Sequence, residues 1–92
     1  MKEITEARLE KEFKRMEEAF SKVKIKETKL KTKAVECLDM AKRYHEDAKH
    51  FRKKGDYASA FGALNYAFGW LDAGAVLGVF EVDSSSGLFA VD

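Results

Sequence analysis

Ninety-two residues with 46% apolar and 36% charged side chains predict one folded domain over residues 1–92 and exclude a disordered chain. A single cysteine, Cys37, excludes an internal disulfide and a cysteine-based zinc cluster; with the charged start MKEITEARLE, which does not read as a signal peptide, it leads us to expect a cytoplasmic protein. The net charge of +1 hides a gradient: residues 1–21 hold 5 basic and 6 acidic side chains, residues 22–54 hold 12 and 5, and residues 55–92 hold none and 5, so helices of opposite sign are expected to pack together.

The first element is a helix over about residues 5–24. Leu9, Phe13, Met16, Phe20 and Val23 step 4, 3, 4, 3 along one face. Thr5 is placed to cap it, and Arg8 at the third position rules out a capping box. In SKVKIKETKLKTK, Val23 and Ile25 alternate with lysines, so the chain should turn between Ile25 and Thr28.

The second helix is expected over residues 30–54. Leu30, Ala34, Cys37, Ala41, Tyr44, Ala48 and Phe51 step 4, 3, 4, 3, 4, 3, and Val35 and Leu38 widen the stripe. His45 flanks that stripe and belongs at the rim of the core. The end, FRKKGD, places basic residues in the last turn, then Gly55 as a left-handed cap, then Asp56 as the N-cap of the next helix.

A third helix runs over about residues 56–78. Leu64, Phe68, Leu71 and Ala75 form one stripe, with Ala63, Ala67, Trp70, Gly74 and Leu77 beside it, and Gly78 ends the helix. Between Asp56 and Glu81 the one charge is Asp72, so the helix is apolar nearly all round and needs covering on more than one side. Residues 79–92 form a tail, either a short hairpin or an extended arm, in which Val79–Val82 and Leu88–Val91 flank DSSSG. No proline interrupts any of these helices. The fold class that follows is all-α: a three-helix antiparallel up-and-down bundle with a short C-terminal tail or hairpin.

The third helix carries the candidate site. Gly62, Asn65, Gly69, Asp72 and Val76 lie on one strip, stepping 3, 4, 3, 4, with Tyr66 and Trp70 beside it. Each glycine inside a helix costs about 1 kcal/mol relative to alanine. Gly62, Gly69 and Gly74 therefore imply that another backbone, side chain or ligand comes close. The neighbour is the rest of the bundle, with Asn65 and Asp72 bonded to it, or a second copy or partner seated in a groove formed by Gly62, Asn65, Tyr66, Gly69, Trp70 and Asp72, or a small molecule in that place. A membrane span over Tyr57–Phe80, with GAVLG as a small-xxx-small pattern, is disfavoured because Asp72 deep in it costs roughly 3 kcal/mol.

ALNYAFGWLDAGAVLGVF, with the tail LFAVD, resembles the archaeal domain-of-unknown-function family 357, most closely over Tyr57–Phe80. The resemblance implies a small archaeal cytoplasmic protein with a three-helix bundle and brings no reaction, cofactor or catalytic residue. Its signature falls on Tyr66, Ala67, Gly69, Trp70, Leu71, Asp72, Ala73 and Gly74, overlapping the strip reached from glycine cost.

Three other constellations compete. Lys22, Lys24, Lys26, Lys29, Lys31 and Lys33 crowd one joint, which admits phosphate contact, but no aromatic is interleaved to stack on a base. Glu46 and His50, four apart, give two metal donors without a third. Arg43 and His50 in RYHEDAKH resemble the Arg–His pattern of HEPN-type ribonucleases, in which such a pair handles phosphate and protons across a helical dimer. Cys37 on the core stripe reads as a small hydrophobe. The expectation is therefore an interaction module, self-associating or docking on another protein, with no cofactor, no metal and no membrane. The alternatives are a ribonuclease or nucleotide-acting enzyme using Arg43 and His50, and nucleic-acid binding through Lys22–Lys33.

Overall fold

Thr5 fixes where the first helix begins: in extended backbone, its Oγ1 accepts a hydrogen bond from the Arg8 N–H at 3.1 Å, satisfying a donor that the first turn leaves free. In the computed structural model, which describes residues 3–82, α1 then spans Glu6–Lys22, α2 spans Lys31–Lys53 and α3 spans Tyr57–Val76. The first helix ends two residues before the expected Lys24, because Val23 turns extended and leads into a two-residue strand, β1 (Lys24–Ile25). β-branched residues alternating with lysine suit a strand better than a helix end.

Asp56 builds the corner between α2 and α3 almost alone. Gly55 takes the left-handed conformation at φ 79°. Its N–H then donates to the Arg52 carbonyl and that of Asp56 to the Phe51 carbonyl, both at 3.0 Å, closing α2. The Asp56 carboxylate in turn accepts the Ser59 N–H at 3.1 Å and opens α3. The bond from Ser59 holds this carboxyl below its ordinary range. The same closing device recurs at the far end of α3, where Gly78 sits at φ 77° and the Val79 N–H reaches the Gly74 carbonyl at 3.0 Å.

Ala34, Ala41 and Ala48 of α2 and Ala60 and Ala67 of α3 are fully buried. With side chains of one carbon between them, the two helices lie close along most of their lengths, and α3 approaches α2 far more extensively than it approaches α1. α1 joins with bulkier side chains: Leu9, Phe13 and Met16 enter the same core as Leu64, Phe68 and Leu71. Each such buried side chain contributes about 1.5–3 kcal/mol. The expected second-helix stripe is correct at its alanines and wrong at its start. Leu30 is exposed because it precedes the helix as its N-cap, and Val35 is exposed because the small residues of α3 do not reach around to it.

The ends of the bundle are tied. At one end the Arg52 guanidinium lies 4.8 Å from the centre of the Phe13 ring and donates to the carboxylates of Glu6 and Glu10. The Tyr57 hydroxyl also donates to Glu6, so all three helices meet at this carboxylate. Those bonds, Tyr57 first and Arg52 second, hold the Glu6 carboxyl below its ordinary value of 4.5. A depressed carboxylate stabilises above its unfolded pKa, and that contribution is lost as the pH falls below 4.5.

At the other end the chain after α3 folds back as β2 (Phe80–Glu81), antiparallel to β1, with Lys24 opposite Glu81 and Ile25 opposite Phe80. Of the two forms expected for the tail, the first apolar run is an arm that pairs with the α1–α2 joint; the DSSSG turn and Leu88–Val91 lie outside the described residues. Two strands of this length have no independent stability. Phe80 supplies it: the ring is buried over Gly74, where a Cβ would come within 2.2 Å of the ring's Cε2. Gly74→Ala should therefore destabilise the fold by about 1–3 kcal/mol, the range for overpacking a filled core, read as a lower urea midpoint with unchanged slope. An unchanged midpoint would show that Phe80 can shift at no cost.

Candidate functional site

Burial sorts the faces of α3. The side carrying Phe61 and Phe68 is covered by α1, whose Arg8 and Arg15 guanidiniums lie 5.4 Å and 5.0 Å from the centres of those rings. Both arginines also flank the buried Glu12, at 3.4 Å and 3.8 Å, so the cations over the rings are held by one carboxylate. The side carrying Ala60, Ala63 and Ala67 is covered by α2. Among the described residues nothing covers the third side. Tyr66 is 65% exposed, Val76 66% and Leu77 69%, with Asn65, Gly69 and Ala73 exposed beside them.

On this bare side Gly62, Asn65, Tyr66, Gly69, Trp70 and Ala73 line an open, shallow groove of about 580 Å³. The Tyr66 ring stacks on Tyr44 of α2, with centroids 5.2 Å apart and planes inclined by 21°, which fixes one wall. The half-buried Trp70 is the other wall. It is shared with a second hollow of about 580 Å³ on the α2 side, floored by Cys37, Met40 and Leu77 and rimmed by Lys33, Glu36, Asp39 and Arg43. The rim charges are paired along α2, Arg43 with Asp39 at 3.0 Å and Lys33 with Glu36 at 3.5 Å.

Five of the six candidate residues meet in the first groove; Asp72 does not. At 100° per residue it lies next to Phe61 and Phe68, toward α1, where it is half-buried. Ala73 lines the groove with the other five. The glycines divide as well. Gly74 is the one that the fold itself fills, whereas a Cβ at Gly62 or Gly69 would meet nothing within 4 Å.

The other constellations lie on α2 and at the α1–α2 joint. Arg43 and His50 are both exposed on α2, about 10 Å apart along its axis, and Arg43 is held by Asp39. Glu46 is engaged by Lys49 at 3.0 Å rather than aimed at His50, and among the described residues no three His, Cys, Asp or Glu side chains gather as a metal set. Of the six lysines at the joint, three are in ion pairs: Lys22 with Glu18, Lys31 with Glu27 and Lys33 with Glu36. No described helix is long and apolar enough to cross a membrane.

A family model described as "Protein of unknown function (DUF357)" matches residues 11–80, the span from the first turns of α1 to β2. No curated protein and no solved structure matches the chain.

Because Gly62 and Gly69 face open space in helical backbone, Gly62→Ala and Gly69→Ala should each leave the fold as stable or raise its stability by up to about 1 kcal/mol. Thermal unfolding of the two variants beside Gly74→Ala, at a concentration where each chain is a monomer, checks this; a lower Tm for either would mean that the face is covered within the monomer.

Proposed function

The chain belongs to the DUF357 family, and on that premise we propose that it is a non-enzymatic interaction module that associates through the bare face of α3, its occupant being the same face of a second copy. One observation carries the reading: two mid-helix glycines cost about 1 kcal/mol each, and among the described residues nothing occupies the room they leave. Gly74 shows the alternative, a glycine whose cost is offset by the ring packed on it.

The pattern of the face fits a copy of itself. Gly62, Tyr66, Gly69 and Ala73 step 4, 3, 4, the spacing of a helix–helix seam, and along it one large side chain alternates with small ones. Antiparallel pairing about a two-fold axis sets each Tyr66 against the trough of the other helix, an isologous contact in which both copies use the same residues. The face carries no charge of its own, and the neighbouring rim holds both signs, already paired, so two copies do not repel each other. The exposed Tyr and the half-buried Trp are the side chains that most often anchor protein interfaces.

Light scattering coupled to size exclusion tests the proposal. The wild-type chain should elute as a dimer at micromolar concentration. Gly69→Arg projects a good helix former into the open groove and should give a monomer with undiminished helical content. Emission from Trp70, the only tryptophan in the chain, should shift to the red in that monomer. A wild-type monomer at high micromolar concentration would overturn self-association. A dimer unaffected by Gly69→Arg would remove this face as its interface.

A further inference from the structure

α1 is the one helix held without a close backbone seam, and the contact that holds its middle contains a histidine. His45 projects from α2 into the α1–α2 junction, where its ring centroid lies 5.3 Å from that of Phe20 and 6.0 Å from that of Phe13. Both phenylalanines belong to α1. The imidazole is half-buried, yet its Nε2 is sealed from solvent and is the one buried side-chain nitrogen or oxygen among the described residues without a hydrogen-bond partner. A phenylalanine or leucine would fill the same junction without a polar atom to satisfy.

The neutral ring is tolerated there as an aromatic. The protonated ring is not, because both its nitrogens are then donors that need acceptors and Nε2 meets none. The charged groups that reach it are Lys49 and Glu46 on its own helix and Glu17 on α1. The Glu46 carboxylate is engaged by Lys49 at 3.0 Å, and Glu17 is exposed, so neither is a dedicated counter-ion. We propose that His45 is an acid-sensitive latch: protonation of its imidazole releases α1 from the α2–α3 hairpin, uncovering the apolar sides of α1 and α3 that face each other. The latch rests on the α1–α2 junction alone and stands whether or not α3 pairs with a second copy.

Burial lowers the His45 pKa from its ordinary 6.5, and Lys49 lowers it further. The released state therefore binds the proton more readily than the closed one. Closure is at full strength above pH 6.5, weakens as the pH falls below it, and levels off beneath the closed-state value. Between those limits the opening equilibrium rises by up to about tenfold per pH unit, the limit for one proton taken up. Glu6, which ties α1 to Arg52 and Tyr57, acts in a separate window below 4.5.

Native-state hydrogen exchange between pH 7.5 and 5.0, corrected for intrinsic rates, tests the latch. The expected result is that protection of α1 amides falls several-fold or more while the central amides of α2 and α3 keep theirs. His45→Leu should abolish that dependence, and His50→Gln, which alters the only other histidine, should preserve it. Should His45→Leu fail to fold, an NMR titration of the wild-type imidazoles decides. A His45 pKa at or above 6.5 overturns the proposal. So does α1 protection that is flat with pH, a dependence that survives His45→Leu, or equal loss from all three helices.

Discussion

The alanine seam between α2 and α3 is the constraint on which the rest of the molecule depends. Side chains of one carbon bring two antiparallel helices close, and Asp56 makes the corner that lets them lie so. A close pair leaves little apolar volume between its members. The bulky residues of α3 therefore point to one flank, Phe61, Leu64, Phe68 and Leu71, where a third helix can cover them. α1 does so with Leu9, Phe13 and Met16. Among the described residues no fourth helix covers the opposite flank of α3. A narrow pair covered on one side leaves the other side open, and the groove beside Trp70 is the geometric consequence.

The way α1 is attached follows from the same asymmetry. The α2–α3 pair is held by backbone proximity along its length. α1 is held at separate points: the Arg52 clasp, the arginines over Phe61 and Phe68, the aromatic contact with His45 and the short ribbon beyond Lys22. Three of these involve ionisable groups, so α1 is tied to the hairpin largely through charged or titratable side chains.

Much of the fold could be read from the chain because it was written in local terms. The 4, 3 spacing of apolar residues gave the helices, and the caps at Thr5, Gly55, Asp56 and Gly78 behave as their chemistry requires. What escaped was everything joining residues far apart in sequence. Nothing near Arg52 announces that it will reach Glu6 and Glu10, and nothing in VFEV announces that Phe80 will cross back to Ile25. The candidate strip was legible in kind and blurred in detail. Composition found the uncovered helix, and only rotation about its axis could tell that Asp72 turns toward α1 while Ala73 takes its place in the groove.

The glycines show why composition alone stops short. Gly62, Gly69 and Gly74 share one helix and one intrinsic cost, yet the structure gives them different reasons to exist. Gly74 is required from within, because the ring of Phe80 occupies the space of its missing side chain, and β2 depends on that ring. At Gly62 and Gly69 that internal requirement is missing, since a methyl group at either would touch nothing. Among the described residues the room above these two glycines is shallow and open, unlike the enclosed sites that hold small molecules, and composition alone does not tell that room from the filled one at Gly74.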